Sequence, residues 1–158
     1  MGNTKSKKYT PTDIEQNFID KYSIPDTMTV RQAPAGGSDI SVTKEVYVDG
    51  ETDKVVLEAL FMRDSFRWYS QLNDDDFYMA HITTGTEEQE ANPNWANKIE
   101  KDVKMFLFDI VKAFKAADRK LYVLPNPILE TLRFKKLFKK LIGKYIVFIG
   151  KDTVQLRL

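Results

Sequence analysis

The sequence predicts an α+β fold: a mixed, mostly antiparallel sheet with two covering helices. Three observations carry that expectation. The β-rich runs SVTKEVYV and KVVLEALF flank DGETD and read as a hairpin around an Asp-Gly turn. The stretch NPNWANKIEKDVKMFLFDIVKAFKAA sets Ile99, Val103, Phe106, Ile110, Val111 and Phe114 at helical spacing. Further on, the apolar runs KLYVL and KYIVFIG bracket a second amphipathic stretch, and two such strands need a helix to cover them.

The elements follow in chain order. Residues 1–10, MGNTKSKKYT, are polar and basic and read as a flexible tail. Thr12 and Glu15 form a capping box, and Ile14, Phe18 and Tyr22 share one face, so a short helix is expected over 13–22, with Pro25 as its stop. Residues 27–32 read as a strand, followed by the loop APAGGSD and the hairpin. FRWYSQL, the NDDD turn and FYMAHITT continue this meander. Leu57, Leu60, Phe61, Trp68 and Leu72 also lie near helical spacing, so strand and helix both remain open over 55–72. The long helix over 95–117 takes Asn92 or Asn94 as its cap. KLYVL is a strand ended by Pro125-Asn126-Pro127, which starts a helix over 127–142 stopped by Gly143. KYIVFIG and TVQLRL read as a closing hairpin around Gly150–Asp152.

Composition narrows the function classes. With 158 residues, 42% of them hydrophobic, the chain is expected to form one domain over 11–158. No run approaches the roughly 20 uncharged apolar residues that span a bilayer, and the opening residues carry no apolar signal-peptide core. The absence of cysteine excludes disulfides, thiolate nucleophiles and cysteine metal sites. The balance of 24 basic against 23 acidic residues argues against a chain that binds polyanions over its whole surface. Charge is uneven, however: acid gathers in NDDD and TEEQE, and base in the tail and in 133–144.

The most conspicuous stretch is LRFKKLFKKLIGK. Leu129, Leu132, Leu137, Phe138, Leu141 and Ile142 supply an apolar side, and Lys135, Lys136, Lys139 and Lys140 the other. A free helix of this kind lies on anionic membranes. Between two apolar strands it reads instead as a helix packed on a sheet, with its lysines open to phosphate or to an acidic neighbour.

Other signals are bland. His81 is the single histidine, so neither a metal triad nor a Ser-His-Asp set can be assembled around it, and its place in a strand reads as structural. Asp74, Asp75 and Asp76 lack calcium-loop spacing and read as a solvated turn. APAGGS has no following helix or lysine and is no phosphate loop. Phe66, Arg67, Trp68 and Tyr69 read as sheet residues rather than a base-stacking platform. No metal site is expected. MGNTKSKK is similar to the myristoylation signal of Src-family tyrosine kinases. That resemblance implies Gly2 acylation, with Lys5, Lys7 and Lys8 supplying a second attraction to anionic lipid.

From Phe77 onward, FYMAHITT, the helix at 95–117, LYVLPN and LFKKLIGKYIVFI resemble in order the C-terminal core of the GNAT-type N-acyltransferases. The resemblance implies a GNAT-like domain, with acetyl-CoA as cofactor if the chain is active. It implies contacts from the backbone of Ala80, His81 and Ile82 and from Asn126, with Tyr145 as proton donor. The family's phosphate loop carries glycines, because backbone N–H groups must converge on diphosphate oxygens. Here the corresponding stretch is EANPNWANKI, with Glu87, Glu88 and Glu90 just upstream, and the family's tyrosine position holds Phe138. These departures imply a domain without ordinary acetyl transfer and with no cofactor. Such domains resemble internal or connector-region virion proteins of short-tailed phages. That likeness implies a structural or interaction role in a virion, after residence in the host cytoplasm. Other protein subunits and packaged DNA would be the partners of Lys135, Lys136, Lys139, Lys140 and Lys144. The alternatives are an active acetyltransferase in the cytoplasm and a myristoylated protein on the inner membrane surface.

Overall fold

A computed structural model describes residues 10–33, 39–63, 72–73, 75–125, 136 and 138–149. Helix α1 spans Asp13–Tyr22 and starts on the expected capping box. Thr12 Oγ1 accepts the Glu15 N–H at 3.2 Å, and the Glu15 carboxylate accepts the Thr12 N–H at 2.8 Å. Ser23, left-handed at φ 54°, ends the helix before Pro25 is reached. The same Glu15 carboxylate is buried and also takes the Gln32 N–H at 2.5 Å, which ties α1 to the first strand.

Six strands form one sheet in sequence order: β1 Thr29–Gln32, β2 Ile40–Val46, β3 Val55–Met62, β4 Tyr78–Thr83, β5 Leu121–Val123 and β6 Ile146–Phe148. The first three pairings are antiparallel, with a bulge at Leu60/Phe61, whereas β4–β5 and β5–β6 are parallel. Between β4 and β5 the chain forms α2, Glu87–Ala91, and α3, Trp95–Ala116. Of the ambiguous stretch 55–72, residues 55–62 are strand, while 64–71 lie outside the described residues.

Alternation in β3 explains which face is buried. Val55, Leu57, Ala59 and Phe61 point into the core, and register brings Val42, Ile40, Met79 and Ile82 beside them. Helices α1 and α3 cover this face. Phe18 meets Phe61 at 5.2 Å and Phe77 at 4.9 Å, while Tyr22 stacks on Phe114 at 4.2 Å. Each such aromatic contributes about 1.5–3 kcal/mol by leaving water. The Tyr22 hydroxyl accepts the Phe77 N–H at 2.9 Å, and burial pushes this phenol well above its ordinary range. On the opposite face Tyr78, Leu72 and Ile149 make a small second cluster with Ala80, Tyr122 and Leu124. Across β1–β3 that face is wet, with Thr29, Arg31, Glu45 and Val56 exposed.

Residues 86–90, noted in the sequence only for their acid, open a helix: Thr86 and Gln89 form a capping box at α2. Neither asparagine caps α3 by its side chain. Asn94 has helical backbone angles and makes no side-chain cap, and Asn92 Oδ1 instead accepts the Asn94 N–H at 2.9 Å. The helix read over 127–142 lies mostly outside the described residues; Lys136 is helical, but Phe138–Leu141 already form a turn. Its carbonyl at Phe138 accepts both Leu141 and Ile142 N–H groups, which tightens the chain ahead of Gly143. The closing strand TVQLRL also lies outside the described residues, as does the tail at 1–9.

Candidate functional site

The parallel strands give the sheet two unlike ends. One end gathers the C-terminus of β4, the β2–β3 turn, α2 and the start of α3. β4 emerges there as Thr83-Thr84-Gly85-Thr86, and the buried Thr84 is held on three sides. Its N–H and Oγ1–H both donate to Glu90 Oε2, at 2.6 and 3.1 Å, and its carbonyl accepts the Trp95 indole N–H at 2.7 Å. Gly85 sits at φ 133°, in a backbone region open to glycine, and a Cβ there would lie 2.5 Å from Gln89 Oε1 and 3.2 Å from the Trp95 ring.

The β2–β3 turn closes over this end. Glu51 accepts from Lys98 Nζ at 2.9 Å and from Gln89 Nε2 at 2.8 Å. The Lys98 hydrogen bond first, and then that of Gln89, holds the Glu51 carboxyl below its usual range. Clefts of about 340 and 310 Å³ flank the lock. The first is lined by Glu51, Asp53, Lys54, Glu58 and Thr86, the second by Glu51, Glu88, Asn92, Trp95 and Lys98. Carboxylates therefore outnumber cations around the N-terminus of α3, and Lys98 is already paired.

Of the residues assigned to an acyl-CoA site, Ala80, His81 and Ile82 are consecutive on β4, and their side chains meet different surroundings. Ala80 packs into the small second cluster, His81 is exposed opposite Leu60, and Ile82 is buried in the main core. β4 pairs with β5 only at Tyr78 and Met79, after which Leu124 N–H reaches the Met79 carbonyl at 2.9 Å. Beyond that point β4 has β3 alone as a strand partner among the described residues. Tyr145 stands at the other end of the sheet. The registers Tyr78–Tyr122 and Leu121–Ile146 place Tyr145 level with Asp76, six residues from Ile82 along the strand direction. That is roughly 20 Å at 3.3 Å per residue. Asn126 and Gly2 lie outside the described residues, as does Lys135.

The opposite end carries both signs, with Asp75, Asp76 and Asp118 beside Lys21, Arg119 and Lys120, and with two further lysines near Tyr145. There the C-terminus of α3 meets the starts of β5 and β6, and Leu121 N–H donates to the Tyr145 carbonyl at 2.8 Å. Lys115 Nζ lies 4.7 Å from the Tyr145 ring centroid and Lys144 Nζ lies 5.2 Å from it. A hydrogen bond from Lys144, and more weakly the charge of Lys115, pulls this phenol below the ordinary tyrosine range. Lys139 and Lys140 are exposed on the turn leading to Lys144, and Lys120 is exposed beside them at the start of β5. Arg119 is turned toward Asp76, at 3.8 Å, across a cleft of about 280 Å³ that also touches Tyr22 and Tyr122. Sequence reading found Lys136, Lys139, Lys140 and Lys144, but not Lys115 or Lys120, whose approach depends on the parallel β5–β6 register.

Among the described residues no group of three or more His, Cys, Asp or Glu side chains gathers to hold a metal ion, and no helix is long and apolar enough to cross a membrane. No protein-family profile matches the chain, and no curated protein or solved structure matches it.

Proposed function

We propose that the chain is a non-catalytic, GNAT-like structural or interaction protein that serves as a component of a phage particle. The observation that supports this reading is the occupied end of β4. A diphosphate needs convergent backbone donors and a favourable field at a helix N-terminus. Here Glu90 holds the Thr84 N–H, Gln89 and Lys98 are bound to Glu51, and further carboxylates face outward. The proton donor nominated for acyl transfer stands at the other end of the strands. The partners on this reading are other protein subunits and packaged DNA.

Calorimetric titration with acetyl-CoA tests the first half, with no heat expected at millimolar ligand. The same titration on K115Q/K144Q separates the β4 end from the basic end, and heat that persists in the variant would overturn the reading. Co-expression with the products of neighbouring genes tests the second half. The chain is expected to co-purify in a complex, and its recovery as a lone monomer would count against it.

A further inference from the structure

Two lysines from distant parts of the chain converge on Tyr145, whose ring and hydroxyl are the partners they share. Lys115 comes from the last turn of α3, and Lys144 from the turn before β6, twenty-nine residues away in sequence. A basic residue in a last helical turn ordinarily complements the helix dipole. Here the final carbonyls of α3 already accept backbone N–H groups from Ala117, Asp118 and Arg119, and the Lys115 ammonium lies over Tyr145 instead. No carboxylate lies within ion-pair distance of Lys115 or Lys144 among the described residues. Two like charges brought to one phenol ring raise the local potential, and an anion bound beside them is attracted by both. Tyr145 adds a hydroxyl at the same point, and both lysines remain reachable from solvent.

We propose that Lys115, Lys144 and the Tyr145 hydroxyl form a phosphodiester-binding site, and that its ligand is the backbone of duplex DNA. The two ammoniums supply charge and mobile donors, and the phenol supplies a fixed one. Lys139 and Lys140, exposed on the turn that leads to Lys144, supply further charge for a ligand longer than one phosphate, whereas Lys120 shares its cleft with Asp76 and Asp118. The three groups of the site are phosphate-binding groups, so the proposed contact is to the backbone and independent of sequence. The inference rests on the particle reading above for the identity of the nucleic acid; the site itself stands on the geometry of Tyr145.

The test is duplex binding by the full chain, measured by fluorescence anisotropy over a salt series. K115Q/K144Q is compared with K54Q/K101Q, which removes the same charge elsewhere on the surface. Each neutralised phosphate contributes about 0.9 to the slope of log K against log salt. The site variant is therefore expected to lower that slope by about 1.8 and to weaken binding roughly tenfold or more at low salt. The control is expected to change the slope by less than half as much. Absence of duplex binding at low salt, or equal losses in both variants, overturns the proposal. Stronger binding to phosphatidylglycerol vesicles than to duplex at equal phosphate overturns the choice of ligand.

A second readout follows Tyr145 itself by NMR of ¹³C-labelled tyrosine, assigned with Y145F. Inorganic phosphate is expected to raise the phenol's titration midpoint as it neutralises the two ammoniums, and an unmoved midpoint overturns the site. Heat of acetyl-CoA binding retained by K115Q/K144Q would sink the particle reading without touching this result.

Discussion

Glu90→Ala tests whether the end of β4 is held shut as its geometry implies. The Glu90 carboxylate accepts two hydrogen bonds from Thr84, one of them from a backbone N–H at 2.6 Å. Thr84 is 1% exposed, so water has little access to the donors left behind. A hydrogen bond to a charged acceptor contributes about 1.5–3 kcal/mol, and a buried donor without a partner costs about 1–3 kcal/mol. Glu90 itself is half-buried and regains some hydration in any opened state, which discounts the sum. The expected loss is about 2–3 kcal/mol, or roughly 4–12 °C in Tm for a domain of this size. Glu90→Gln keeps one acceptor oxygen and should lose about half as much. Glu87→Ala, exposed on the same short helix, should stay within about 0.5 kcal/mol of the parent. Urea and thermal unfolding read all three, with an unchanged urea slope showing that the same surface is exposed. If Glu90→Ala unfolds with Glu87→Ala, the carboxylate does not hold Thr84, and the argument for an occupied cradle loses its main support.

Two further perturbations probe the same end. Gly85→Ala forces a side chain into φ 133° and into the Gln89 carbonyl, so it is expected to cost about 1–3 kcal/mol by the same melts; an unchanged Tm would mean the turn relaxes freely. Glu51→Gln should show its effect by pH. The folded carboxyl is held below the unfolded value by Lys98 and then Gln89, so its contribution is present above the unfolded glutamate range and fades as pH falls through the folded pKa. The parent and Glu51→Gln melts should therefore differ at neutral pH and converge in acid, and a gap that stays constant would refute the ion-pair account.

What the sequence disclosed was local. The Thr12–Glu15 box lies within four residues, and the apolar face of α3 repeats over six turns, so both could be read without knowing what they pack against. Helix α2 was missed because five residues with no buried member carry no periodicity, although Thr86 and Gln89 stood at capping-box spacing. The β5–β6 arrangement was legible in order but not in register. A helix read between two strands implies a parallel crossover, but nothing in KYIVFI says which residue of a strand twenty-five positions earlier it pairs with. That single long-range choice decides where Tyr145 stands, and with it whether Tyr145 faces the end of β4 or the end of α3.

The division of charge between the two ends follows from chain direction rather than from composition. Because β4 and β5 run parallel, α3 must carry the chain from the end of one strand back to the start of the other. The acidic run 86–90 is thereby fixed beside the β2–β3 turn, which brings Glu51 and Asp53, and Lys115, Asp118, Arg119 and Lys120 are fixed at the far end near Asp76. A second parallel pairing repeats the return and delivers Lys144 to that same far end. The two ends of α3 lie about 33 Å apart at 1.5 Å per residue, and screening at physiological salt acts over about 8 Å, so charge at one end is felt weakly at the other. The first end faces Glu51, Asp53 and Glu88. The second is mixed, with Asp76 and Asp118 beside Arg119 and Lys120, and with Lys115 and Lys144 set on Tyr145. Chain direction therefore sets which charged groups a ligand meets at each end, and the Glu90 and Glu51 variants test the first end separately from the lysine pair at the second.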